Sequence, residues 1–173
     1  MFNKKKNSKG FTLVELLVVI AIIGILAVVA VPALFKNIEK GKVADLEADI
    51  SAIKSAALSV YADTSNYPSG TVTGTAGTAG TAGIDKELEG LSKPFGATYN
   101  IESAQSQDAD ASADGTTKAL KKGDIVLTIT TTSQIGKNGI SKLEQDLGDS
   151  MLTKLPANSS GTTTIKIKLS NKN

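Results

Sequence analysis

The sequence predicts an α+β fold: a long N-terminal α-helix, apolar in its first half and amphipathic in its second, packed on a small antiparallel β-sheet head. Three observations predict it. An unbroken apolar run extends from Leu16 to Phe35. Beyond it, apolar positions recur at Val43, Leu46, Ile50, Ile53, Ala57 and Val60, spaced by threes and fours as on one helix face. After a cluster of turn formers, short β-branched stretches alternate apolar with polar residues.

The first element is a basic segment with Lys4, Lys5, Lys6 and Lys9, followed directly by the apolar run. At about 1.5 Å per residue, the run spans roughly the 30 Å of a bilayer's hydrocarbon core. The lysines keep the N-terminal end in the cytoplasm. Glu15 is out of place in a plain anchor, because an acid costs roughly 2.5–3.5 kcal/mol at mid-membrane. A secretory signal would carry an A-x-A-like cleavage site after the apolar region. None occurs between Ala21 and Ala33, and the small residue Gly10 lies before the run instead.

The string Gly10-Phe11-Thr12-Leu13-Val14-Glu15, continuing into Leu16-Leu17-Val18-Val19-Ile20, resembles the class III signal of type IV prepilins and of the pseudopilins of type II secretion. The resemblance implies a type IV pilin-like fold, cleavage after Gly10 by a prepilin peptidase, and N-methylation of the new terminal Phe11. It also implies that Glu15 is the assembly glutamate, and that Gly24 and Pro32 are the helix-weakening glycine and proline. Implied partners are other copies of the chain in a helical filament, the peptidase, the pilus assembly machinery, and membrane lipid before assembly. The subunit would sit in the cytoplasmic membrane with its N-terminus in the cytoplasm, then in an extracellular pilus serving adhesion, twitching motility or biofilm formation.

The expected domains are a cleaved leader (1–10), a transmembrane or filament-core half-helix (11–35), an amphipathic half-helix (36–63) and a globular head (64–173). Gly24 costs about 1 kcal/mol relative to Ala, and Pro32 removes the bond to the Val28 carbonyl at about 3 kcal/mol. On the amphipathic half, Lys40, Lys42, Asp45, Glu47, Asp49 and Lys54 fall between the apolar positions. The seam of that half is read as packing against the chain's own sheet.

Charge argues in the same direction. The chain carries 19 basic residues, all lysine, against 17 acids. Losing the four leader lysines leaves 19 − 4 = 15, so the mature chain is slightly acidic and nucleic-acid binding is not indicated. With no histidine, no cysteine and no base arranged beside a Ser or Thr, nothing is set to activate a nucleophile, and no imidazole or thiolate is present to hold a metal. The reading is a structural protein, not an enzyme, with no cofactor and a head held by packing alone.

In the head, the helix ends in turn formers from Asp63 to Gly70, and a Gly-Thr-Ala repeat over 74–83 reads as a flexible surface loop. Asp85 can cap a short helix carrying Leu88 and Leu91. Ser92-Lys93-Pro94-Phe95-Gly96-Ala97-Thr98-Tyr99 resembles a degenerate Asp-Pro-Trp-Gly-x-Pro-Tyr motif, which opens the sheet in major pseudopilins. Strands are expected over 97–102, 125–130 and 164–169, the last with Lys166 and Lys168 toward water. Ser141-Lys142-Leu143-Glu144 reads as a capping box opening a helix that Gly148 stops.

Asp108, Asp110 and Asp114 alternate like ligands of a calcium loop. However, Ala113 stands where the turn glycine belongs and Ala119 where a bidentate acid should be, so the spacing favours a solvated acidic loop and no metal is expected. Two rivals to the pilin remain: a major pseudopilin of a type II secretion or DNA-uptake system, and a membrane-tethered binding domain that never polymerises.

Overall fold

The computed structural model describes residues 10–74, 83–84, 87–88, 90–103, 124–152 and 162–170. Helix α1 runs from Leu13 to Thr64. The chain divides into two compact units, Met1–Ile38 and Glu39–Asn173.

In the first unit, α1 from Leu13 to Phe35 is apolar all round apart from Glu15, and all its side chains but that of half-buried Ala27 are exposed. This stretch is long and apolar enough to cross a membrane. The helix continues through Pro32, consistent with a proline removing one backbone bond without ending a long helix.

In the second unit, the predicted seam is buried: Val43, Leu46, Ile50, Ile53 and Ala57 are at most 5% exposed. α1 ends where expected. Ser65 takes a left-handed φ of 58°, and its N–H donates to the Tyr61 carbonyl at 2.8 Å, closing the last turn.

Four antiparallel strands form one sheet in the order β1-β2-β3-β4: β1 Gly70–Val72, β2 Thr98–Ser103, β3 Ile125–Thr131 and β4 Thr163–Ser170. The register pairs Tyr99 with Ile129 and Ile101 with Leu127, then Leu127 with Ile167 and Ile129 with Ile165. Residues two apart share a face, so these six make one apolar layer, each at most 2% exposed. The opposite face carries Thr98, Asn100, Thr128, Thr130, Thr164 and Lys166. The apolar layer forms one core with the α1 seam and with Ile140 and Leu143 of α2, Lys137–Leu147.

The structure departs from the sequence expectations in five places. Three-residue β1 was not expected, being too short for alternation to register. α2 begins at Lys137 with Gly136 as its N-cap, so Ser141 lies inside the helix, exposed, and is not a cap. Gly139 explains the early start: it packs beside Val43 and Glu39, and this tertiary contact outweighs the poor helix propensity of Asn138 and Gly139. No helix follows Asp85 among the described residues. Ile84 and Leu88 are buried without regular secondary structure instead.

Fourth, Lys168 does not simply face water. Its Nζ lies 2.7 Å from Oδ2 of Asp124, which is 3% exposed. Fifth, Asp49 is not on the solvent side but buried in the seam itself. Residues 75–82 of the Gly-Thr-Ala repeat, the lysine leader through Lys9, and Asp108, Asp110 and Asp114 lie outside the described residues.

Candidate assembly interface

Gly10, Phe11 and Thr12 precede the first helical residue and are exposed, Phe11 at 93%. The Gly10–Phe11 peptide therefore lies outside the α-helix. Thr12 is the N-cap and Glu15 sits three residues on, the geometry of a capping box. The Thr12 N–H and Oγ1 each donate to Glu15 Oε2 at 2.8 Å, and the Glu15 N–H donates to Thr12 Oγ1 at 3.2 Å. Glu15 thus meets the unpaired donors at the start of α1, where the helix dipole also favours an anion. The T-x-x-E signal was present in the sequence at Thr12–Glu15, and its role in the helix start was missed.

Gly24 and Pro32 both lie within α1. A side chain at Gly24 would meet nothing within 4 Å. Close packing inside this chain therefore does not demand glycine there, leaving its cost to helix stability of about 1 kcal/mol unexplained by the monomer. The apolar residues on either side pack against nothing among the described residues, Ile23 and Ile25 being 58% and 71% exposed.

On the part of α1 in the second unit, the charges beyond Glu39 divide into two groups. One group serves the head. Asp49 accepts the N–H of Ser92 at 3.0 Å, the N–H of Lys93 at 2.9 Å and the hydroxyl of Tyr99 at 2.6 Å. Burial, and then the Asp49 carboxylate beside it, pushes the Tyr99 phenol well above its ordinary range. Lys42 Nζ stands 5.5 Å from the centre of the Phe95 ring.

Glu47 pairs with Lys142 at 3.3 Å, and Lys142 also bonds Asp146 one turn on. Burial raises the Glu47 carboxyl, whereas Lys142 holds that of Asp146 down; the ammonium is raised chiefly by Asp146. The second group is Lys40, Asp45, Lys54 and Asp63. All four are exposed, and none makes an ion pair among the described residues.

The three donors to Asp49 shape the segment that leads into β2. Lys93 and Phe95 take left-handed φ values of 48° and 58° around Pro94, a costly backbone for side-chain-bearing residues. The Phe95 carbonyl accepts the N–H groups of Thr132 at 3.1 Å and Ser133 at 3.0 Å, holding the turn from its other side. At Gly96 a side chain would run into Thr132. The string similar to the pseudopilin motif therefore runs into the first two residues of β2. No group of described residues converges to hold a metal ion.

Comparison with known proteins agrees with this geometry. Residues 5–31 match the family described as "Prokaryotic N-terminal methylation motif", and residues 37–117 match "PilW, C-terminal". Over 66 residues the chain is 41% identical to the type II secretion system core protein G of Klebsiella michiganensis. It is 42% identical over 67 residues to the protein of the same name from Pseudomonas aeruginosa. Each match takes in 38% of this chain and 46% of the relative, so the chain spans just under half the length of these curated relatives. Among solved structures, the major type IV pilin PilA1 from Clostridium difficile aligns with a TM-score of 0.53 and 25% identity, over 78% of this chain and 98% of that one.

Proposed function

We propose, for a chain that is type IV pilin-like in its N-terminal methylation motif and its fold, the role of a filament subunit processed at Gly10 and polymerised through α1. The observation that carries this reading is the combination at the helix start: a carboxylate fixed at the head of an apolar helix whose sides have no partner. The 17 exposed large apolar residues between Leu13 and Ile38 would be a severe liability in water, so the segment needs lipid first and neighbouring copies afterwards.

Processing fits the local geometry. The Gly10–Phe11 bond lies outside the α-helix and is exposed, which suits attack by a membrane-embedded peptidase. Cleavage would leave Phe11 with a free amine, which stays cationic when monomethylated. In the filament, Glu15 would exchange its own Thr12 donors for the Phe11 amine of an adjacent copy. At 4 Å and an effective dielectric near 20 that attraction is about 4 kcal/mol. Gly24 and Pro32 would let the helix between them loosen as subunits leave the membrane.

The test has two parts. Mass spectrometry of the purified subunit is expected to show an N-terminus at methylated Phe11, and Glu15→Ala is expected to abolish filaments while leaving the subunit in the membrane. Material that still begins at Met1, or filaments unaffected by Glu15→Ala, overturns the proposal. The relatives named as secretion core protein G favour a second reading, a pseudopilin of a short secretion filament. Electron microscopy of the cell surface separates the two: long surface filaments indicate a pilin, and their absence with processed subunit in the envelope indicates a pseudopilin. Adhesion, twitching and biofilm formation are the uses such a surface filament would serve.

A further inference from the structure

Within the second unit, the four exposed α1 charges with no ion pair or ring contact among the described residues are segregated by sign; Lys36, in the first unit, falls on the same line as Lys54. At about 100° per residue, Lys40 and Lys54 fall within about 40° of each other around the helix axis, and Asp45 and Asp63 fall on one line. The two lines lie about 140–180° apart. Val43, Leu46, Ile50 and Ile53 lie to one side of both and face the core. The second half of α1 therefore presents a basic flank and an acidic flank, all four residues exposed.

A helical filament is built from heterologous contacts, in which one surface of a subunit meets a different surface of the next. Oppositely charged flanks on one helix meet that requirement, because every copy offers its acids to one neighbour and its lysines to another.

The spacing along the helix allows both acids to be used at once. Asp45 follows Lys40 by five residues, about 7.5 Å of rise, and Asp63 follows Lys54 by nine, about 13.5 Å. Identical copies are related by one operation, so neighbouring, near-parallel helices keep one axial offset at every level. An offset of about 10 Å puts each acid within about 3 Å of the level of a lysine in the adjacent copy. A lysine side chain reaches roughly 6 Å, which covers the difference. Within one copy, Lys54 and Asp63 lie on opposite sides of the helix and cannot meet.

We infer that the second half of α1 is a charge-registered interface between copies of this chain, pairing Asp45 with Lys40 and Asp63 with Lys54 of the adjacent subunit. The inference rests on the filament reading above and adds the partner residues along the helix flanks. Each pair is exposed, so reversing one charge should weaken subunit association about two- to five-fold, and added salt should do the same.

Carbodiimide treatment of intact filaments tests this, because the reagent joins only carboxylates and amines already in contact. The expected result is a ladder of covalent oligomers whose cross-linked peptides join Asp45 to Lys40 and Asp63 to Lys54. Charge reversal supplies a second readout. Lys54→Asp or Asp63→Lys alone should lower filament yield and dissociation temperature, and the two together should restore both. Filaments that form normally but give no such cross-links, or a double reversal worse than either single one, overturn the interface and leave the filament reading standing. If the unaltered, processed chain forms no filament, both fall.

Discussion

Asp49 is the residue on which the head depends most. Its carboxylate holds two backbone N–H groups of the Ser92–Lys93 segment and the Tyr99 hydroxyl, all three close to the core. Asp49→Ala leaves those donors unpaired, each costing about 1–3 kcal/mol, and is expected to lower the thermal midpoint far more than any exposed substitution on α1. Tyr99→Phe removes one bond and is expected to cost about 1 kcal/mol near neutral pH.

The pH dependence of Tyr99 has a definite sign. Its phenol is raised in the fold, so its contribution to stability is complete below about pH 10, where the unfolded phenol titrates, and is lost as pH climbs above that. A midpoint-versus-pH curve for the detergent-solubilised chain should therefore fall more steeply above pH 10 than that of Tyr99→Phe. Asp49 was legible as a charge but not as a buried one. Helical spacing assigns a position to a face only within a few tens of degrees, and Asp49 borders Ile50 and Leu46 on the seam. What brings it inside is the need of a strained turn more than 40 residues away for an acceptor.

At the scale of elements, the two strings of the form S/T-x-x-E went opposite ways. Thr12-x-x-Glu15 caps α1, whereas Ser141-x-x-Glu144 is buried in the sequence of α2 and caps nothing. Thr12→Ala is expected to destabilise the start of α1 by about 1 kcal/mol, seen as faster amide exchange in its first turn. Ser141→Ala should change stability by less than about 0.5 kcal/mol, since the residue is exposed in mid-helix. Gly148, whose φ is 46°, behaves differently: Gly148→Ala is expected to cost about 1 kcal/mol.

The strands were legible because β2, β3 and β4 alternate cleanly or carry β-branched runs. Their observed limits differ from the expected ones by no more than one residue at either end. β1 and the early start of α2 were not, because both are fixed by tertiary partners. β1 exists through its pairing with β2, and the first turn of α2 through the room that Gly136 and Gly139 leave for Glu39. One Glu39 oxygen is enclosed there without a hydrogen-bond partner, near the positive end of the α2 dipole.

At the scale of the whole chain, an apolar rod segment and a packed head answer to different solvents. The division was readable from composition alone, since the run from Leu16 to Phe35 has no polar residue to satisfy in water. The head contains no cysteine, so its core must supply what disulfides supply elsewhere. Leu127 is fully buried in a central strand. Leu127→Ala is expected to cost about 2–5 kcal/mol and to lower the thermal midpoint of the solubilised chain by roughly 10–20 °C. The partners proposed for the apolar segment could not be read from any single chain, because they would be copies of it.

The carboxylate keyed into three donors on the head also has a mechanical meaning. Tension applied lengthwise to α1 loads its grip on the sheet in shear, and apolar side chains alone resist sliding poorly because one greasy contact is readily traded for the next. A charged peg in a fitted socket has no equivalent seat one notch along. Loss of Asp49 is therefore expected to let the head slip along α1, which force spectroscopy on Asp49→Ala should register as a slip at markedly lower pull.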